Sequence, residues 1–155
     1  MRFVRFFESP CSAEDSLRLI ADFQHLMAWD HSVPSVEPLQ ADFGLGAAYA
    51  VEVNFNGRPI AMRYEVTAYV PGHSAVLRGV APKAIAIDRI EVSPTEGGCR
   101  VRYDAEIQMA FPYSLLDWIM ALGFKGTVDR AVAGLAAFLA AQHGLGDHTT
   151  EPPIG

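Results

Sequence analysis

The chain has 155 residues, half of them apolar or aromatic and 19% charged, with a net charge of −6. That length suits one domain around a single substantial core, and the acidic balance excludes sequence-independent nucleic-acid binding, which needs clustered Lys and Arg to displace counterions. It equally excludes docking on anionic lipid through charge, and no apolar run reaches the roughly 18 residues of a membrane span, so stable membrane insertion is not expected.

The first eight residues mix Phe and Val with Arg2, Arg5 and Glu8. They offer no apolar run before a small-residue cleavage site, so they do not read as a secretory signal. Phe3, Arg5 and Phe7 alternate with Val4, Phe6 and Glu8, the period of a strand, and Pro10 stops it. Ser12 is placed to cap a helix, with Asp15 three residues on, and Leu17, Ile20 and Ala21 supply its apolar side. Asp22 caps a second short helix through Phe23, Leu26 and Met27, ending near Trp29-Asp30-His31. Pro34 and Pro38 predict an extended, irregular segment after it.

Asn56-Gly57 is the best local signal, because both residues tolerate the positive φ of a type I′ hairpin turn. With Phe55 facing Arg58, Val53 pairs with Ile60, Val51 with Met62, and Tyr49 with Tyr64. One face of that hairpin is then apolar and the other mixed-polar. Strands follow over residues 74–80, 84–92 and 99–109, separated by breaks at Ala81-Pro82-Lys83 and over residues 93–98. In the last strand Val101, Tyr103, Ala105, Ile107 and Met109 alternate with Arg100, Arg102, Asp104, Glu106 and Gln108. Residues 114–142 carry a long helical pattern in which Phe124, Val128, Ala131, Leu135 and Phe138 fall on one stripe. Gly123 and Gly126 near its start suggest a close backbone approach or a bend. Residues 144–155 read as a flexible tail after a domain spanning 1–143.

This order, an α+β arrangement of one strand, two short helices, a run of strands and a long terminal helix, resembles the helix-grip fold of the polyketide cyclase/dehydrase and lipid-transport (START-like) superfamily. The local likeness lies in Ser12-Ala13-Glu14-Asp15, Ala21-Asp22-Phe23, Trp29-Asp30, Gly44-Leu45-Gly46, Tyr69-Val70-Pro71-Gly72 and Gly97-Gly98-Cys99-Arg100-Val101. The resemblance implies a curved antiparallel sheet around the terminal helix, with a cavity between them that takes a small hydrophobic molecule such as a lipid, polyketide, quinone or other aromatic.

The hairpin face offers Tyr49, Val51, Val53, Met62, Tyr64 and Val66 as one wall of such a cavity, and the last strand offers Tyr103 and Ile107. Phe111, Trp118, Leu122, Phe124 and Val128 come from the terminal helix and its approach. The greasy stretch from Phe111 to Met120 is apolar nearly all round, and a pocket portal, a homodimer patch and a membrane-touching lip remain open readings. Tyr64, Arg78, Asp88 and Tyr103 are the candidates for any catalysis. Asp88 is in phase with Ala86 and Ile90, and Arg78 on the neighbouring strand is its candidate partner, although the same strand phase allows both on the surface. Trp29 is expected to pack under the sheet edge and Asp30 to cap backbone. No His, Cys, Asp or Glu spacing matches a zinc or facial-triad site, so neither metal nor cofactor is expected. Cys11 and Cys99 lie far apart, and without a secretion signal both are expected as free thiols of a cytoplasmic protein. Three functional readings stand: a carrier or binding protein, a cyclase, dehydratase or aromatase using the same cavity, and a protein-interaction module.

Overall fold

Strict period-two patterning from Ala48 onward builds one antiparallel sheet, and the helical segments before and after it lie against its concave face. The structure, a computed structural model, describes residues 1–40, 42–55 and 57–147, except for the side chain of Asp147. Its elements are β1 (Arg2–Ser9), α1 (Ala13–Ala21), a 3-10 turn (Phe23–His25), α2 (Leu26–Trp29), β2 (Ser35–Pro38), β3 (Ala48–Phe55), β4 (Arg58–Val70), β5 (Ser74–Ala81), β6 (Ala84–Thr95), β7 (Gly98–Met109), a second 3-10 turn (Tyr113–Leu116) and α3 (Asp117–Asp147). The seven strands lie in the order β1-β7-β6-β5-β4-β3-β2. This is the α+β arrangement of the predicted element order, with the antiparallel sheet and long terminal helix that the resemblance implies.

The β3–β4 hairpin has the expected register, with Tyr49 opposite Tyr64, Val51 opposite Met62, Val53 opposite Ile60 and Phe55 opposite Arg58. Asn56 itself lies outside the described residues. A register shift between Val66 and Ala68 in β4 marks a bulge, which bends and twists the strand. Ser12 caps α1 by accepting a hydrogen bond from the Asp15 amide at 3.1 Å. Asp22 caps the following turn through the Gln24 amide.

Three boundaries differ from the sequence reading. The proline-flanked segment is an ordered edge strand, β2, paired to β3 from Ser35 to Pro38; proline is tolerated there because an edge strand need not donate to the ladder on its open side. The β6–β7 connection is tighter than expected, since Thr95 already faces Gly98. Helix α3 continues to Asp147, beyond the expected end of the domain at 143, and residues 148–155 of the expected tail are outside those described.

The apolar stripe of α3 is not buried uniformly. Leu135 and Leu139 are completely buried in the core with Leu17, Ile20, Val66, Leu77, Ile90 and Val101. Burying two leucines contributes roughly 1.5–3 kcal/mol each before entropy, so the second half of α3 is the half that is held down. Phe124 and Val128, in the first half, are only partly covered. The close backbone approach also sits at that firm end. A Cβ on Gly134 would lie 2.2 Å from the carbonyl oxygen of Trp29, whereas one on Gly123 would meet nothing within 4 Å and one on Gly126 only the Arg130 side chain at 3.4 Å. The close approach expected at Gly123 and Gly126 is therefore made by Gly134.

Candidate ligand cavity

Between the first half of α3 and the sheet lies a cavity of about 180 Å³. Val51 and Val53 of β3, Tyr64 of β4, and Tyr103 and Ile107 of β7 line its sheet side, while Phe124 and Val128 line its helix side. At one end the Phe55 and Phe124 rings stack, with centroids 4.3 Å apart and planes within 10°. Alternation explains the sheet wall. Residues in phase with Val101 and Tyr103 on β7, and with Ala86 and Ile90 on β6, point toward the helix.

That phase also carries Asp88 inward. It lies opposite Leu77 and Ala105 in the ladder and is only 8% exposed. Arg78 is opposite Ile87 and is exposed on the outer face. The candidate Arg78–Asp88 pair is not formed: neighbouring positions of paired strands project to opposite faces, so Asp88 enters the cavity and the surface reading holds for Arg78 alone. The neighbours of Asp88 are phenols. Tyr103 lies diagonally across the β6–β7 ladder from Asp88 and lines the same space, as does Tyr64, whose ring is edge-on to Phe23 at 5.0 Å. Gly79 makes room for Tyr64, since a Cβ there would fall 2.6 Å from the phenol ring.

Burial pushes the Asp88 carboxyl up to about 7, partly offset by the Tyr103 hydroxyl, with the negative charge of Asp30 adding to the rise. Burial, reinforced by Asp88, also lifts the Tyr64 and Tyr103 hydroxyls well above the ordinary phenol range. Near neutrality the cavity therefore holds two uncharged phenols and one carboxyl poised to gain or lose a proton.

The other predicted wall residues lie elsewhere. Tyr49 and Val66 are buried in the core, and Met62 packs partly buried against it; none of the three lines the cavity. The Tyr49 hydroxyl donates to Asp22 Oδ1 at 2.8 Å, and burial with that hydrogen bond raises its pKa strongly. It ties the β3 wall to the helical segment. Phe111, Trp118 and Leu122 are 78%, 70% and 72% exposed and lie outside the cavity lining.

The sequence reading missed the side that the short helices supply. Trp29 is buried, but it lines the cavity with Leu26, Val33 and Asp30 instead of packing under the sheet edge. Its ring lies edge-on to Tyr103 at 6.3 Å, and its Nε1 has no hydrogen-bond partner among the described residues. Asp30 caps as expected, accepting from the Ser32 amide at 2.9 Å and the Ser32 hydroxyl at 2.7 Å. From β1, Phe3 and Arg5 complete the lining. The alternation of Phe3 and Arg5 was visible in the sequence, but which face looks inward is set only by pairing with β7.

Among the described residues no group of three or more His, Cys, Asp or Glu could hold a metal ion, and no helix is long and apolar enough to cross a membrane. His31 and His73 are exposed. His148 lies outside the described residues.

A family model described as polyketide cyclase / dehydrase and lipid transport matches residues 1–140. No curated protein matches the chain by sequence. Solved structures share the fold at low identity. A protein from Thermus thermophilus is 18% identical with a TM-score of 0.74, covering 92% of this chain and 97% of its own. A START superfamily protein from Mycobacterium smegmatis is 14% identical with a TM-score of 0.70, covering 89% and 98%. The di-domain ARO/CYC StfQ from the steffimycin biosynthetic pathway is 11% identical with a TM-score of 0.69; the match covers 92% of this chain and 52% of that one.

Proposed function

Because this chain belongs to the polyketide cyclase / dehydrase and lipid transport family, we propose that it binds a small hydrophobic ligand between the sheet and α3 as a carrier or binding protein. The single observation behind this reading is the cavity of about 180 Å³ with mostly apolar walls. Its size narrows the ligand. A buried apolar cavity of roughly 150 Å³ suffices to bind benzene, so this one encloses a ring-sized group. The two thiols, both free and buried, suit the cytoplasm as the compartment.

The test is a thermal-shift panel of aromatic ketones, quinones and fatty acids, joined to mass spectrometry of small molecules released on denaturation. A bound ligand at a hundred times its dissociation constant stabilises the fold by about 2.7 kcal/mol. A panel with no shift, and no released molecule, would remove the carrier reading.

Asp88 favours a second reading, a cyclase or dehydratase type of enzyme. A carboxyl with a pKa of about 7 is suited to take and return a proton at neutral pH, and Tyr64 and Tyr103 beside it are suited to donate hydrogen bonds to a developing enolate oxygen. The steffimycin protein supports this reading only as a fold precedent. Turnover of an aromatic polyketide precursor by the wild type, lost in Asp88→Asn, is the expected sign; turnover unaffected by Asp88→Asn and Tyr64→Phe would dismiss it.

A further inference from the structure

The polar groups of the cavity do not match one another. Trp29 is 3% exposed, and its indole N–H is a buried donor with no acceptor among the described residues. Such a group costs roughly 1–3 kcal/mol while unsatisfied. The available carboxylates are already placed. Asp30 Oδ1 accepts from Ser32, and Asp88 has Tyr103 as its diagonal neighbour on β7. Arg5 is the one cationic side chain among the described residues lining the cavity. Its Nε binds Asp129 Oδ1 at 2.7 Å and its Nη1 binds the Val4 carbonyl at 2.9 Å. The cavity wall thus carries an unsatisfied N–H donor, two carboxyl groups and one guanidinium whose charge is paired with Asp129.

We infer that the cavity takes a neutral, ring-bearing ligand whose acceptor oxygen, a ketone or quinone carbonyl, receives the Trp29 indole N–H, and that it rejects carboxylates. The inference deepens the binding reading above and rests on it. An anionic head group would have to be desolvated beside Asp88 and Asp30 and would compete with Asp129 for the one lining guanidinium, Arg5, whereas a carbonyl needs one donor and brings no charge. The charged and titratable groups around Asp88 are Tyr64 from β4, Arg89 on its own strand, Tyr103 and Asp104 from β7, and Asp30 after α2. From α3 the cavity receives only Gly123, Phe124, Thr127, Val128, Ala131, Val132 and Leu135, none of them titratable. Rejection of carboxylates is accordingly strongest once Asp88 has ionised.

The test uses three probes of one skeleton, acetophenone, benzoate and ethylbenzene, added at pH 8 to protein labelled with 15N. The chain has two tryptophans, and the exposed Trp118 serves as the internal control. Acetophenone is expected to move the Trp29 indole N–H resonance downfield and leave that of Trp118 in place. Ethylbenzene binds without that downfield shift, and benzoate binds at least tenfold more weakly than acetophenone. Trp29→Phe lowers acetophenone affinity about tenfold more than it changes that of ethylbenzene, the scale of one buried hydrogen bond once the altered ring packing common to both probes is divided out. Asp88→Asn recovers part of the benzoate binding. Benzoate binding as tightly as acetophenone, or acetophenone binding with no change at the Trp29 resonance, overturns the inference and leaves the binding reading intact. If none of the three binds, the inference and the reading of a ring-sized ligand fall together.

Discussion

Phe55 at the end of β3 stacks on Phe124 of α3, centroids 4.3 Å apart, and both rings line the cavity. The firmly packed Leu135 and Leu139 lie further along α3. A ligand that enters between the hairpin and the helix must break the stack, while the anchored half need not move. Phe124→Ala is expected to speed release of a neutral apolar dye such as N-phenyl-1-naphthylamine about fivefold, the equivalent of losing a stacking contact of ~1 kcal/mol. Stopped-flow displacement measures it. Unchanged release rates with the dye still bound would place the entrance elsewhere.

Gly79 and Tyr64 form a second dependent pair. The Tyr64 ring occupies the place where a side chain on Gly79 would sit, 2.6 Å from the hypothetical Cβ. Gly79→Ala should therefore drive the ring into the cavity or force β5 away from β4, with a loss of about 1–3 kcal/mol in urea denaturation. In a Tyr64→Leu background the same substitution should cost less than half as much, because the ring that it strikes is gone. Equal costs in both backgrounds would show that the backbone, and not the ring, resists the added methyl group.

How much of this was legible beforehand depends on the range of the interaction. The hairpin register followed from Asn56-Gly57 and local alternation, and β3 and β4 have it pair for pair. The phase of Asp88 with Ala86 and Ile90 was visible, but Ile85 and Ile87 supported the opposite phase equally, so its inward placement was not decided by the strand alone. Arg78 failed as its partner because strand pairing, a long-range fact, sets which of two adjacent residues shares a face with the neighbouring strand. Trp29 was mislocated for a similar reason. A four-residue helix such as α2 has too little periodicity to announce its inward side, and the close approach of Gly134 to its backbone fixes that orientation from over 100 residues away. Tyr49 looked like a cavity phenol because nothing local reveals that Asp22 captures its hydroxyl.

Asp88 makes stability depend on pH in a direction opposite to that of most carboxylates. Its folded-state pKa is about 7, and an unfolded aspartate titrates near ~3.9. Between these values the native state keeps a proton that the unfolded chain has released, so stability falls as pH rises toward 7 and levels off above it. Asp104, fully buried and held low by its hydrogen bonds with Arg2, has the opposite sign. Its contribution is present above the unfolded pKa and disappears only as pH falls below that value. Comparing pH 4.5 with 7.5 therefore isolates Asp88. Wild type should lose about 3 kcal/mol across that interval relative to Asp88→Asn, read as the difference between two urea-denaturation series. Parallel series would mean that Asp88 ionises at an ordinary pKa and that the cavity is wetter than its walls suggest.

Two glycines of α3 should answer the same substitution with opposite signs. A methyl group at Gly123 meets open space, so Gly123→Ala should gain the helix-propensity difference of up to about 1 kcal/mol. At Gly134 the methyl would lie 2.2 Å from the Trp29 carbonyl oxygen, a backbone atom with no rotamer to yield. Gly134→Ala must then shift α3 away from α2 at its best-packed point, and a loss of about 3 kcal/mol or more is expected, as for a severe overpacking strain. Thermal unfolding of the two variants beside wild type checks both. The shift at Gly134 should also disturb Trp29, so its indole N–H resonance should move in Gly134→Ala and stay in place in Gly123→Ala. If Gly134→Ala proved neutral and left that resonance unchanged, α3 would not be anchored on α2 by this contact, and the cavity wall that Trp29 forms would need another support.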